Sequence, residues 1–288
     1  MASVLVGIAT CNRAALLRKA IDSALGQSHR PLRVAVVDDA SGDRTPALRR
    51  DYPMVSWERW DAPQGYVAAR NRMMLTAAED YYVSLDDDSW FIAGDEIASA
   101  LVVLERQPKV AAVAFDIVSP DRPDMKTRGG KASVSLFIGC GHVLRLSAVK
   151  ALGGYGDFPG GYGSEEQDLC LRLIDAGFQI VKLDGVHVWH DKSGIARDLA
   201  AQHRSGVCND LVFALRRTPL ALLAPVLAYK IATHLLFAVR HRYMRPCLQG
   251  IGDFFAVVGK TWALRSPVRV ASLLRYQALT RSPQVIGD

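Results

Sequence analysis

Two kinds of apolar spacing alternate through the first two-thirds of this chain. Short apolar or β-branched runs at Ser3–Ala9 (SVLVGIA), Arg33–Asp38 (RVAVVD), Met54–Trp60, Tyr81–Leu85 and Val110–Val118 predict strands. Between the first two, Leu16, Leu17, Ala20, Ile21, Ala24 and Leu25 share one face of a helix expected over Ala14–Leu25. Asp43–Arg50, Gly65–Ala78 and Glu96–Glu105 read as further helices. This βαβ alternation predicts a Rossmann-like mixed, mainly parallel sheet with helices on both faces. The polar segment Pro120–Lys131 (PDRPDMKTRGGK) reads as a surface loop and a candidate lid. The glycine-rich GGYGDFPGGYGSEEQDLCLRLIDAG then leads into a helix expected over Glu165–Ala176, followed by a strand near Gln179–Leu183 and the segment VHVWHDKSG.

From Arg204 the spacing changes, with strongly apolar stretches at Leu211–Leu215, Leu220–Tyr229, Ile231–Val239 and Ile251–Trp262. Residues 1–203 are therefore expected to form the α/β domain and residues 204–288 an apolar helical extension. Leu220–Val239 has the length of a bilayer span, but Pro225, Lys230 and His234 interrupt it, so an interfacial helix pair fits better than a span. A buried helical subdomain stays open as the alternative.

Charge sharpens this division. The chain has 288 residues and a formal net charge of +6. Twelve Lys and Arg against three Asp and no Glu from Arg204 onward give the extension +9, leaving −3 for the rest. A basic apolar tail suits an anionic membrane surface, and an acidic first part suits cation-assisted chemistry. No nucleic-acid-binding pattern accompanies the charge, so nucleic acid is not an expected partner. Cys11, Cys140, Cys170, Cys208 and Cys247 are odd in number and contain no CxxC, which argues against a disulfide framework or a zinc knuckle and suits a reducing cytoplasm. The opening MASVLVGIATCNR lacks the charge and apolar pattern of a secretory signal, so the chain is expected at the cytoplasmic side, peripheral on the inner face of the cell membrane.

The candidate chemistry lies in acids at strand ends. In YYVSLDDDSW, Asp86, Asp87 and Asp88 follow a buried strand, where open α/β sheets place their ligands. Such like charges are most simply held ionised together by a divalent cation, and carboxylate oxygens favour Mg²⁺ or Mn²⁺, although an isolated acidic triplet is also what a solvated turn looks like. Asp38 and Asp39 end another strand, and one of them would serve as a turn or cap residue. Glu165, Glu166 and Asp168 open a helix, where the dipole stabilises acids and where one glutamate facing the crevice would act as a general base. His190, in what reads as a polar loop beside Trp189 and Asp191, would complete a cation site.

Together these segments resemble the family 2 glycosyltransferases of the GT-A fold, with the motifs in the family's order over about residues 3–195. VGIATCNRAALLRKAIDSALGQS is similar to the family's strand, T-x-N-R turn and helix; VVDDASGDRT to its VVDDGSTDGT; GYVAARNRMM to its G-x-x-x-A-R-N; and LDDDSW to its D-x-D region. The later GGYG…EEQDLCLR…AG resembles its GGF, E-D-x-D-L-x-x-R and AG series, and VWH the histidine that follows. The resemblance implies inverting transfer of a sugar from a UDP, GDP or dTDP donor to a glycan or lipid-linked acceptor in envelope glycan, polysaccharide or glycolipid synthesis. It implies Asp39 on the nucleobase; Ala9, Thr10 and Arg13 in the nucleotide pocket; Arg70, Asp86 and Asp87 on the donor; and Asp88 with His190 on the cation. Asp168 and Trp189 would lie on the acceptor side. The family's base falls on Glu166, with Glu in place of the usual Asp and with Glu165 as competitor.

Two other enzyme classes share single features. A haloacid-dehalogenase-type phosphohydrolase also uses D-x-D, but opens its domain with it and wants Thr or Val where Trp90 stands; a Rossmann dehydrogenase needs a GxGxxG that the first strand lacks. A noncatalytic relative that binds sugar nucleotide is the remaining alternative.

Overall fold

A computed structural model of the chain describes residues 1–123, 130–192 and 198–286. The expected βαβ opening is present as β1 (Val4–Thr10), α1 (Ala14–Leu25) and β2 (Leu32–Asp38), followed by β3 (Ser56–Arg59), α2 (Tyr66–Thr76) and β4 (Tyr81–Asp86). The chain continues through β5 (Ser89–Phe91), α3 (Glu96–Arg106), β6 (Val110–Val118), β7 (Gly130–Val134), β8 (His142–Arg145), α4 (Leu146–Ala151), α5 (Glu165–Asp175) and β9 (Gln179–His190). Among the described residues, one sheet carries ten strands in the order β10-β7-β9-β6-β8-β4-β1-β2-β3, with β5 paired to β9 and β10 formed by Gln284–Ile286. The half from β3 to β4 is wholly parallel, and the antiparallel β8 joins it to the parallel pair β6–β9.

The alternation along β1 builds both halves of the core. Val4, Val6 and Ile8 pack with Leu17 and Ile21 of α1 and Ile97 and Leu104 of α3, while Leu5 and Ala9 pack with Ala69 and Met73 of α2 and Leu169 of α5. A strand covered on both faces has no polar side, which is why its sequence is apolar throughout. Each such buried Val, Leu or Ile contributes about 1.5–3 kcal/mol of transfer free energy.

Three expectations change. Asp43–Arg50 forms only a 3-10 segment over Thr45–Arg50, after an Asx turn in which the Asp43 side chain accepts the Thr45 N–H at 2.8 Å. VHVWH is the second half of the long strand β9, because Ser89–Phe91 pairs with Val188–His190, so His190 ends a strand rather than sitting in a polar loop. Of the candidate lid, residues 124–129 lie outside the described residues, and Gly130–Lys131 belong to β7.

The tail forms α6 (Leu199–Arg217), α7 (Leu220–His241), α8 (Met244–Ala263) and α9 (Val270–Arg281). α6 starts upstream of residue 204 because Asp198 caps it, accepting the N–H groups of Ala200 and Ala201 at 3.0 Å each. The end of the described chain returns to the first region: α9 packs on α5, and β10 pairs with β7.

Candidate active site

The carboxyl ends of β1, β2 and β4 open onto a cavity of about 430 Å³, at the point where the strand order reverses. Ala9 and Thr10 line it from β1. Thr10 Oγ1 donates to Asp87 Oδ2 at 2.9 Å and Arg13 Nη1 to Asp87 Oδ1 at 2.8 Å. Burial pushes the Asp87 carboxyl up to about 6, against the pull of Arg13 and Thr10. The two acids ending β2 take different roles. Asp38 accepts the Ser41 N–H at 2.9 Å and shapes the turn, whereas Asp39 lines the cavity and accepts the N–H groups of Gln64 (2.6 Å) and Gly65 (2.9 Å) ahead of α2.

The opposite wall holds the glutamates. The buried Arg70 of α2 forms an ion pair with Asp86, and its Nη1 lies 3.6 Å from Glu166 Oε1. The two glutamates opening α5 differ in their surroundings. Glu165 is buried and accepts the Tyr66 hydroxyl at 2.5 Å, while Glu166 keeps about a fifth of its side-chain surface open. Burial first, and then the neighbouring Glu165 charge, raise the Glu166 carboxyl above its ordinary range, with Arg70 pulling the other way.

Gly139 makes this approach possible. A Cβ there would stand 2.4 Å from Glu166 Oε1 and 2.7 Å from Arg70 Nη1. Both clashing groups are ends of flexible side chains, so Gly139→Ala is expected to keep the fold and displace the pair. Turnover should fall by on the order of 10- to 100-fold, checked by initial rates beside a melting curve. An unchanged rate would show that the spacing of the pair is not catalytic.

Around the acidic triplet, Asp86 and Asp87 line the cavity and Asp88 lies fully buried behind it. His190 Nε2 sits 3.3 Å from Asp88 Oδ1, and its Nδ1 lies 3.5 Å from Cys140 Sγ. Ligand atoms of Asp86, Cys140 and His190 lie within 4.8 Å of one another. Burial holds the Cys140 thiol far above its usual range, and sulfur is a softer donor than a hard cation prefers. The oxygen and nitrogen donors of Asp86, Asp88 and His190 suit Mg²⁺ or Mn²⁺.

Two residues expected on the acceptor side stand outside this cavity. Asp168 is fully buried, between Arg172 at 2.7 Å and Arg217 of α6 at 2.6 Å, because it sits one helical turn before Arg172 and faces the protein interior. Trp189 is on the opposite face of β9 from His190, as alternation requires, and stacks on Trp90 with ring centroids 6.1 Å apart. Neither lines the cavity.

Several contributors carried no motif signal. Asn209 of α6, itself buried, accepts the Gly160 N–H at 2.8 Å and donates to the carbonyls of Gly160, Tyr162 and Gly163 at 2.9–3.0 Å, clamping the loop that enters α5. Tyr66, Cys11, Cys140 and Gln202 also line the cavity. The Gly-Cys-Gly at 139–141, between two strands, was the one local sign of a close backbone approach.

Residues 5–146 match the model of glycosyl transferase family 2. The chain carries a family 2 glycosyltransferase domain. Its relatives include EpsE of Bacillus subtilis, itself named as a glycosyltransferase, at 26% identity over 191 residues, 62% of this chain and 68% of that protein. Among solved structures, a mannosyltransferase from Pyrobaculum calidifontis in complex with GDP-Man and Mn²⁺ superposes with a TM-score of 0.60 at 19% identity, covering 96% of this chain and 83% of that one. S. aureus TarS in complex with UDP-GlcNAc gives 0.66 at 15% identity, over 97% and 91%. The glycosyltransferase fold is therefore the GT-A fold, and the crevice that collects Asp39, Asp86 and the glutamates lies within it.

Proposed function

We propose that this glycosyltransferase moves a sugar from a nucleoside diphosphate donor to an acceptor hydroxyl by a single inverting displacement, with Glu166 as the base. The observation that carries the reading is the placement of Glu166, partly open, raised in pKa and held beside Arg70, in the same cavity as Asp39 and Asp86. Asp39 faces the nucleobase, with Ala9, Thr10 and Arg13 around the nucleotide. Asp86, Asp87 and Arg70 face the donor. Glu166 takes the acceptor hydroxyl proton as that oxygen bonds to the anomeric carbon, and the bond to the diphosphate breaks with its electron pair leaving on the diphosphate. Asp86, Asp88 and His190 would hold a Mg²⁺ or Mn²⁺ ion. When bound, such an ion offsets the charge of the leaving diphosphate. The acceptor is a glycan or lipid-linked glycan of envelope or polysaccharide synthesis, the class consistent with a basic, apolar extension.

Calorimetric binding of UDP, GDP and dTDP, with and without Mn²⁺, tests the donor site. One nucleotide is expected to bind tightly only with Mn²⁺, and Asp88→Asn, which keeps the shape of a buried side chain, should weaken this by about 10- to 100-fold. Binding that ignores Mn²⁺, or no binding of any of the three, would overturn the reading. Binding with no transfer of any sugar would instead identify a noncatalytic relative.

A further inference from the structure

Among the described residues, one helix, Leu220–His241, is long and apolar enough to cross a membrane. Its inner seam is well occupied: Leu223 and Ala238 are buried, and Leu227, Ile231 and Leu235 pack with Val207, Leu211 and Leu215 of α6 and Phe254 of α8. The two charged or titratable residues that interrupt its sequence also point inward. Lys230 Nζ lies 2.5 Å and His234 Nε2 2.9 Å from Asp210 of α6. As a result, every exposed residue from Leu220 to Val239 is apolar, with Tyr229, Leu236 and Val239 each about two-thirds exposed. That stripe ends in Arg240, His241, Arg242 and Arg245, all exposed. Among the described residues no ion pair engages Arg240, Arg242 or Arg245: Asp210 serves Lys230 and His234, Asp253 pairs with Arg204, and Asp198 caps α6.

We propose that α7 lies in the plane of an anionic phospholipid surface, with its outer stripe at the acyl boundary and Arg240, Arg242 and Arg245 on the headgroups. An apolar stripe of about 30 Å exposed to water is costly, and burying it at the interface beside arginines that meet anionic lipid removes that cost. A bilayer-crossing path is disfavoured by the same contacts. Leaving α6 would open the apolar seam and strand Lys230 and Asp210, and α6 is fixed to the active-site loop through Asn209. The inference rests on the helix alone and holds whatever sugar the enzyme transfers.

The test is co-sedimentation of the full chain with phosphatidylcholine vesicles, with or without phosphatidylglycerol. Binding is expected only with the anionic lipid, falling as salt rises. Leu236→Ser with Val239→Ser should weaken it by about tenfold or more, as should Arg240→Gln with Arg245→Gln. Both pairs are exposed, so a melting curve that matches the parent chain's reports that each variant is folded. Equal binding to neutral vesicles, or none to either, overturns the proposal. So does a dimer in light scattering that the serine pair dissociates, which would mean that a second copy covers the stripe. Bound protein that resists alkaline carbonate would overturn the in-plane geometry in favour of a span.

Discussion

Glu166→Gln is expected to lower kcat by about 10²- to 10⁴-fold, the usual worth of a positioned base, while donor affinity stays within about twofold, since the amide keeps the shape of the side chain. The check is initial rates with the donor that the nucleotide screen selects, beside calorimetric donor binding. Glu165→Gln should behave differently, because Glu165 is engaged by the Tyr66 hydroxyl and acts on Glu166 through its charge. A base works ionised, so activity is low below the pKa of Glu166 and rises as pH passes it. Its raised pKa places the acid limb of kcat/KM above the ordinary glutamate value of about 4.3. Removing the Glu165 charge should move that limb to lower pH with turnover largely kept. If Glu165→Gln is the inactive variant and Glu166→Gln turns over, the two roles are exchanged.

Asp168→Ala is expected to cost stability rather than acceptor recognition. The carboxylate is fully buried and pairs with Arg172 and Arg217, both themselves mostly buried. Removing one partner of a buried ion pair typically costs about 3–5 kcal/mol, because the remaining charge is left uncompensated. The loss should be visible as a lower urea midpoint, with acceptor KM unchanged under conditions where the variant is folded. An unchanged midpoint with a raised acceptor KM would place Asp168 at the acceptor after all. Arg217 belongs to α6, so this contact also ties the tail to the helix that opens with the glutamates.

The parallel strands and their helices were legible because each is buried on a face set by local spacing. α1 falls on Ala14–Leu25, where the apolar periodicity placed it, and β4 ends on Asp86 as its run of apolar residues predicted. Short elements were harder. β5 and β8 are only three and four residues long and owe their form to cross-strand partners distant in sequence. The helix expected at Asp43–Arg50 had local signals but lacked the length to become more than a 3-10 segment.

Within the site, residues on recognisable motifs were found and their supports were not. Strand ends point carboxylates into the crevice, so Asp39 and Asp86 were legible from their position after apolar runs. Nothing local distinguishes Asp168 from Glu166, since both belong to the opening turn of α5; their fates diverge because side chains two residues apart point to different sides of a helix. Asn209 is a polar residue in an apolar stretch, and its role depends on the loop at Gly160–Gly163 lying against α6.

By itself, the sequence determined the α/β class, the acids at the strand ends, the basic apolar character of the tail and the resemblance that named the chemistry, because periodicity, charge and motif order are local properties. Only the tertiary structure decided which glutamate keeps an open side chain, that Asp88 sits behind the cavity, that Asp168 holds the core, and that Lys230 and His234 turn inward to leave α7 an unbroken apolar face. Each of those depends on a partner roughly 20 to 100 residues away, and desolvation or ion pairing with such a partner is settled when the chain packs.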